Sequence, residues 1–458
     1  MPAARSALCG PLSACALAVL SVRLGDMEIS GPWTRATAAA GLLKDGVARP
    51  TVFARMSARA AEHQALNLGQ GFPDDAPPSA VAEAAVAAIR EGRNQYPPGA
   101  GEAVLREAIA EHQSQWYGVS WDPATEVLVT TGATEALAAT ILALVEPGDE
   151  VITLEPFYDQ YAAMIALAGG VHRTVPVTSR PAPDTHSGSS AGSSTDAGSG
   201  ADADSGAATG DLVLDVDEDA LRAAFSERTR LVLVNTPHNP TGLMLWVGAL
   251  QAIVDEAARH DALIVTDEVY EHLTFGPAHL PIATLPGAQD RTISISSAGK
   301  TFSVTGWKIG WITARPELIT AITGVKQWLT YSSGAPFQPA VAIGLAMPPS
   351  AFHDLAADLR ERRDLLTDGL REIGFRVSVP EAGYFTVADA GPLGEPDADA
   401  LAERLPAEAG VVAIPLSAFY RDGQAGDASA YLRMAFCKSR ETIERALEQL
   451  DAWAAPRR

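Results

Sequence analysis

The chain of 458 residues carries only three cysteines, Cys9, Cys15 and Cys437. That is too few to staple a fold of this length, which excludes a disulfide framework and favours a reducing compartment. Positive charge is also scarce. Lys and Arg number 34 against 56 Asp and Glu, a formal net charge of -22, so most of the exterior repels phosphate backbones and anionic lipid surfaces. No nucleic-acid partner and no membrane partner is expected, and any anionic ligand must be held by a local positive pocket. No Cys/His spacing suggests a metal, and no repeat of solenoid period is present. The apolar stretch from Ala7 to Leu20 behind Arg5 falls short of the ~20 residues that span a bilayer. It also lacks a clean small-residue cleavage site in the Ser21-Val22-Arg23-Leu24-Gly25 that follows. Met27 can itself serve as a start, so residues 1–49 read as a tail, poorly ordered at its beginning, on a cytoplasmic protein.

What is there is an ordinary globular composition, 47% hydrophobic and 20% charged, in a chain long enough for two domains or one large domain with a lobe. From Ser179 to Gly210 there is not one Val, Ile, Leu, Met, Phe, Tyr or Trp. Such a segment cannot offset its ordering entropy by burial, and 179–210 is expected to be a disordered surface insertion. Elsewhere short β-branched runs alternate with helical patterns. Strands are expected at Val127 to Thr130, Glu150 to Leu154, Val171 to Val177, Leu231 to Asn235, Leu263 to Asp267, Thr292 to Ser296 and Ile309 to Thr313. Helices such as Thr134 to Leu144, Val247 to Arg259 and Pro316 to Trp328 lie between them. The alternation predicts an α/β fold with a mainly parallel sheet covered on both faces. A long helix, Ala351 to Ile373, then leads into strands at Tyr384 to Val387, Val411 to Ile414 and Tyr431 to Ala435, which reads as a smaller α+β lobe.

The chain has only five lysines, and Lys300 and Lys308 fall together in one Ser/Gly-rich loop, Ser296-Ser297-Ala298-Gly299-Lys300-Thr301-Phe302 followed by Gly306-Trp307-Lys308. Lysine is the side chain that forms a Schiff base with an aldehyde, and partial burial near other cations tunes it for that. The hydroxyls of Ser296 and Ser297 with the Lys308 ammonium suit a phosphate. Val265-Thr266-Asp267-Glu268-Val269-Tyr270 places a carboxylate at the carboxyl end of an apolar strand, where open α/β sheets hold ligands. An aspartate buried there needs a cationic partner, such as a protonated pyridine nitrogen. In Asn235-Thr236-Pro237-His238-Asn239-Pro240-Thr241-Gly242 the turn leaves the Asn239 amide free to donate to a phenolate oxygen. Thr131-Gly132-Ala133-Thr134 opens a helix whose N-terminal N–H groups suit phosphate. Glu155-Pro156-Phe157-Tyr158-Asp159 supplies an aromatic ring to stack on a flat one.

These motifs, in this order, resemble those of the class I/II branch of the fold-type-I aminotransferases, which use pyridoxal 5'-phosphate. The resemblance runs from about Pro50 to the C-terminus, interrupted by the insertion. It implies Lys300 as the Schiff-base lysine, Asp267 as partner of the pyridine nitrogen, and Asn239 and Tyr270 at the ring hydroxyl. It further implies Tyr158 stacked on the ring, Ala133, Thr134, Ser297 and Lys308 around the phosphate, and Lys300, Asp267 and Tyr270 as the catalytic set. Tyr431-Leu432-Arg433-Met434-Ala435 matches the strand whose arginine grips the substrate α-carboxylate. Leu68-Gly69-Gln70-Gly71-Phe72-Pro73-Asp74 resembles the loop closing over substrate, which puts Gly71 with Asn239 and Arg433 at the substrate. Asn94-Gln95-Tyr96 resembles the segment that lends a tyrosine to the neighbouring subunit's phosphate, implying a homodimer. The implied organisation is a tail over 1–49, a segment 50–95 joining the small lobe and the active site, a large cofactor domain over 96–345, and a small C-terminal domain over 346–458.

Within the family, Glu155 to Asp159, Ser332-Ser333-Gly334-Ala335-Pro336-Phe337-Gln338-Pro339 and Ala413-Ile414-Pro415-Leu416-Ser417-Ala418-Phe419 look most like N-succinyldiaminopimelate aminotransferases of lysine biosynthesis. That likeness implies N-succinyl-LL-2,6-diaminopimelate and 2-oxoglutarate as substrates, with Ser332, Ser333 and Gly334 as donors to a distant carboxylate. Kynurenine, methionine and aromatic aminotransferases share much of the pattern, as do PLP carbon-sulfur lyases. A non-catalytic regulator of this fold is a further alternative, but regulators of this kind usually carry an added DNA-binding domain, of which the non-basic stretch before Pro50 offers no sign. His63, His112, His172 and His260 are expected on the surface or as satisfied polar groups.

Overall fold

The computed structural model describes residues 22–24, 27–29, 31–181, 211–421 and 425–458. At its centre is an eight-stranded sheet. In chain order its strands are β1 (Val127–Thr131), β2 (Glu150–Glu155), β3 (Val171–Pro181), β4 (Leu212–Val216), β5 (Thr229–Asn235), β6 (Leu263–Asp267), β7 (Thr292–Ser297) and β8 (Ile309–Thr313). They lie side by side as β1-β8-β7-β6-β5-β2-β3-β4. The strands from β7 through β3 pair in parallel, whereas β8 runs antiparallel to both its neighbours and β4 closes the edge antiparallel to β3.

Alternation along the strands divides the apolar side chains between two cores. On β5, Leu231 and Leu233 face one cluster with Leu137, Ile141 and Ile322, while Val232 and Val234 face another with Leu250, Ile253 and Ala257. Helices Gly132–Leu144 and Pro316–Lys326 thus cover one face and Val247–Arg259 the other, as parallel sheets require. The parallel strands end in register on one edge, with Asn235 opposite Asp267 and Asp267 opposite Ile295.

A third core surrounds a four-stranded antiparallel sheet made of β9 (Arg376–Val377), β10 (Phe385–Asp389), β11 (Ile414–Pro415) and β12 (Tyr431–Ala435), in the order β9-β10-β12-β11. The 25-residue helix Pro349–Ile373 leads into it. Residues from the 50s and 60s join this core: Met56 and Leu68 are fully buried there, and Leu66–Asn67 pairs with Val411–Val412.

Several expectations need correction. The strand expected at Val411 to Ile414 is two short strands, because Val411–Val412 pairs with Leu66–Asn67 while Ile414–Pro415 pairs with β12. Strand β4 was not expected; it pairs with β3 and extends that strand to Pro181, so 179–181 belong to the sheet rather than to the insertion. Backbone pairing orders residues there whose side chains give no apolar signal. The rest of the expected insertion, 182–210, and the beginning of the expected tail, 1–21, lie outside the described residues. Within the tail, helix Pro32–Ala39 packs on helix Gln160–Ala168.

Candidate active site

The carboxyl edge of the parallel strands opens onto a cavity of about 230 Å³. Of the residues the sequence singles out, Ala133, Thr134, Tyr158, Asn239, Asp267, Tyr270, Ser297, Lys300 and Lys308 line it. They come from the last residues of β6 and β7 and from the segments that follow β1, β2, β5, β6 and β7, which share this edge because those five strands run in one direction. Ligand sites of open α/β sheets form there for that reason.

At one end lies the start of helix Gly132–Leu144, which no side chain caps. Its first-turn N–H groups make a ready anion site. Lys308 adopts a left-handed conformation at φ 55°, and its Nζ donates to Thr134 Oγ1 at 3.0 Å. Gly310 on β8 lets that strand pass against the helix start: a Cβ there would lie 2.6 Å from Gly132 C and 2.7 Å from Ala133 N. A methyl group would drive the helix terminus out of place.

Asp267 occupies the opposite end, at the tip of β6. Burial pushes its carboxyl up to about 6, against the opposing pull of the Tyr161 hydroxyl, the Val269 N–H and the Lys300 charge. Tyr161 donates to Oδ2 at 2.6 Å, whereas Oδ1 is buried with no hydrogen-bond partner among the described residues. Asn235 fixes the turn beside it, its Nδ2 donating to the Asp267 carbonyl at 2.8 Å while its Oδ1 accepts the Asn239 N–H at 2.7 Å.

Lys300 lies between these ends on the one-turn helix Ala298–Thr301. Burial lowers its ammonium to about 8, and Nζ donates to the Gly71 carbonyl at 3.1 Å. Burial raises the Tyr158 phenol to about 12 and that of Tyr270 further, so both stay protonated at neutral pH.

Arg433 stands beside the cavity with 1% of its surface exposed. Its Nη1 donates to Asn239 Oδ1 at 3.1 Å and its Nη2 to the Gly69 carbonyl at 2.6 Å, and buried Nε has no partner. The rings of Phe385, Phe419 and Phe53 surround the guanidinium at 3.8, 4.6 and 5.4 Å. Burial pulls it down to about 9, which leaves it charged at neutral pH. Among the described residues the guanidinium hydrogen-bonds only neutral acceptors, and the Asp159 charge acts on it without a direct bond, an arrangement that suits an incoming carboxylate.

Tyr96 is not brought to this cavity. It is 83% exposed and stands edge-on to Tyr331, ring centres 6.0 Å apart. It shares a separate surface cavity of about 530 Å³ with Ser332, Ser333 and Gly334. Ser333 Oγ there bonds Thr131 Oγ1 at 2.8 Å, and Ser332 Oγ is buried without a partner among the described residues. The histidine expectation holds in part: His112 is buried, with its ring nitrogens bonded to the Leu345 carbonyl at 3.1 Å and His272 Nε2 at 2.7 Å. Tyr161, Asn235 and Tyr384 were missed. The first lies one helical turn past Tyr158, the only local signal it offers.

The site fits pyridoxal 5'-phosphate. An unpartnered buried carboxylate oxygen suits a cationic ring nitrogen, an uncapped helix start with Lys308 suits the phosphate, and a lysine depressed by burial suits an aldehyde. Among the described residues no group of three or more His, Cys, Asp or Glu is placed to hold a metal ion, and no helix is long and apolar enough to cross a membrane.

The profile of the family Aminotransferase class I and II matches residues 63–192 and 202–450. A Mycobacterium tuberculosis (strain H37Rv) protein named "Probable N-succinyldiaminopimelate aminotransferase DapC" is 46% identical over 412 residues, 88% of this chain and 96% of that one. The kynurenine--oxoglutarate transaminase of Dictyostelium discoideum is 36% identical, over 88% of this chain and 93% of its own. The solved structure of N-succinyldiaminopimelate aminotransferase from M. tuberculosis superposes with a TM-score of 0.79 at 45% identity, covering 88% of this chain and 97% of that one. The chain therefore belongs to the class I and II aminotransferases and is a pyridoxal 5'-phosphate-dependent transaminase of fold type I.

Proposed function

We propose that this aminotransferase exchanges the amino group between N-succinyl-LL-2,6-diaminopimelate and 2-oxoglutarate, as a cytoplasmic homodimer with a large lobe over 96–345 and a small one over 346–458. The observation that carries the substrate reading is the 46% identity with a relative of that name over nearly its whole length. The unpaired Arg433 supports an α-carboxylate substrate.

When bound, the cofactor supplies an aldehyde for the substrate amine and a ring that takes up the electron pair left at Cα. Ionised Asp267 then keeps a cationic ring nitrogen charged, with Asn239 and Tyr270 at the ring hydroxyl and Tyr158 against the ring face. Ala133, Thr134, Ser297 and Lys308 hold the phosphate, with Tyr96 added from the second copy. Arg433 fixes the substrate α-carboxylate, and Asn239 and Gly71 bound the space beside it. Lys300, as a neutral amine, would take the Cα proton as general base and deliver it as general acid to the cofactor carbon that receives it.

Aromatic or sulfur amino acids remain the second reading. Among the described residues the cavity lining holds no cation but Lys300 and Lys308, with Arg433 beside it, so a distal carboxylate has no dedicated partner there. Two measurements test the proposal. Borohydride reduction followed by peptide mapping should place the cofactor on Lys300; a label on Lys308 or Lys326 contradicts the site. A donor screen should give the succinylated diacid the highest kcat/KM; preference for kynurenine or methionine rejects the substrate but not the transaminase.

A further inference from the structure

Lys300 is too close to the end of its helix to be held by it. Ala298–Thr301 is one turn long, and the last carbonyls of any helix lack an intrahelical donor. The Lys300 carbonyl finds one elsewhere. Tyr384, just before β10 in the small lobe and 1% exposed, donates its hydroxyl to that carbonyl at 2.7 Å. Burial raises the phenol well above its ordinary value, so it remains a donor across the working pH range.

The same ring also borders the side chain. Lys300 Nζ lies 5.6 Å from the Tyr384 ring centre and 5.6 Å from that of Tyr270. The two rings meet edge to face, 5.4 Å apart with 74° between planes, and the Gly71 carbonyl accepts from the amine at 3.1 Å. The lysine thus runs in a slot with two aromatic walls and a carbonyl at its end, and its backbone is anchored by one of those walls. Tyr384 touches neither cofactor nor substrate in any role assigned above, and it reaches the reaction only through Lys300.

We propose that Tyr384 is a positioning residue for proton transfer by Lys300. Its hydroxyl fixes the backbone from which the lysine swings, and its ring confines that swing to the line between substrate Cα and the carbon that receives the proton. Tyr384 exchanges no proton itself: the one that leaves Cα goes to the Lys300 amine and is delivered from it. A misplacement of about 1 Å in such a group costs on the order of 10²-fold in rate, which is why a catalytic lysine on a single turn of helix needs an outside anchor. The proposal rests on the reading of Lys300 as the cofactor lysine and proton carrier.

The test is Tyr384→Phe, which keeps the wall and removes the anchor. In the holoenzyme we expect kcat to fall about 10-fold or more with KM nearly unchanged, and the isotope effect of a Cα-deuterated donor on kcat to rise as proton transfer becomes limiting. In the apoenzyme, labelling of Lys300 by an amine-reactive sulfonate should titrate near 8 in the wild type and shift toward the ordinary lysine value in Y384F. Tyr384→His, able to donate again, should recover part of both. A packing role alone would lower stability and cofactor content together and leave the isotope effect and the labelling midpoint where they were; that result overturns the proposal. If Y384F does not fold, Y384H alone decides by the same two readouts. Lys300→Ala separates the premises: a K300A enzyme that still exchanges the Cα proton overturns the reading of Lys300 itself, whereas an inert K300A beside an unaltered Y384F overturns only the role of Tyr384.

Discussion

The Tyr161 hydroxyl donates a hydrogen bond to Asp267 Oδ2 at 2.6 Å and leaves Oδ1 buried, with no hydrogen-bond partner among the described residues. One oxygen of the carboxylate is thereby committed to the protein, and the other is free to meet a ligand. Burial favours the protonated acid and the Tyr161 bond favours the ionised one, with burial the larger effect. Only the ionised form can partner a cationic ring.

Tyr161→Phe removes the bond to the ionised form, so the Asp267 pKa rises from about 6. The sign follows directly. Activity that needs ionised Asp267 is lost as pH falls through its pKa, and in Y161F that loss begins at a higher pH. The acid limb of kcat/KM should move up, by an amount matching roughly 1.5 to 3 kcal/mol for a hydrogen bond to a charged group less what a bound ring cation compensates. A pH–rate profile of both enzymes checks it, and coincident acid limbs would show that Tyr161 only fills space.

Arg433 is the second test. Arg433→Lys keeps a charge but loses the planar fork, and the shorter reach of one ammonium cannot hold Asn239 Oδ1, the Gly69 carbonyl and a carboxylate together. The variant should lose about 10²-fold in kcat/KM for every amino acid donor alike, the scale of one to two charge-assisted bonds. Steady-state kinetics on acidic, aromatic and sulfur donors would reveal any selective loss, which would place Arg433 at a side chain instead of the α-carboxylate.

The main architecture could be read from the sequence because it is written in local signals. Strand β6 and helix Val247–Arg259 match their expected bounds to the residue, since β-branched runs and a 3.6-residue period report burial directly. Asn239 and Lys300 stood out because each follows such a strand in a turn rich in Gly, Pro or Ser, and Asp267 because it is the polar residue that closes an apolar strand. Tyr161 and Tyr384 carry no such mark. Each matters through a partner 106 or 84 residues away, and no local pattern encodes that distance. Strand β4, Leu212–Val216, does carry an apolar run of that kind and was legible locally; what the sequence does not show is its antiparallel pairing with β3, which draws Ser179 to Pro181 into the sheet. Tyr96 shows the converse, a residue recognised by motif that a single chain leaves on its surface.

Gly310 tests the phosphate end of the cavity. Gly310→Ala puts a methyl group within 2.6 Å of the Gly132 backbone, and neither backbone can yield as a flexible side chain would. Forcing a group into such a space costs about 1–3 kcal/mol, and the helix start is what moves. We expect weaker cofactor retention, read by equilibrium dialysis, together with a lower melting temperature in the apoenzyme. A Gly310→Ala protein with unchanged affinity would mean that the N–H groups at Gly132 to Thr134 do not hold the phosphate.

The Tyr96 ring is 83% exposed and stands edge-on to Tyr331, over a cavity that also holds Ser332, whose buried hydroxyl has no partner among the described residues. Trp328, at 80% exposure, and Leu329 add to the apolar surface nearby in the chain. Water is a poor neighbour for such a group of side chains, and a second copy related by a two-fold axis would cover it on both subunits at once. If Tyr96 then reaches the partner's phosphate, each active site needs Lys300 from one chain and Tyr96 from the other. Lys300→Ala and Tyr96→Phe homodimers should both be impaired. In a heterodimer of the two, one site collects both defects while the other draws Lys300 from the Y96F chain and Tyr96 from the K300A chain. About half of the sites should therefore regain full function. Activity of tagged, purified heterodimers measures this directly. Recovery no greater than the mean of the parent homodimers would mean that each chain completes its own site and that Tyr96 serves only the contact between copies.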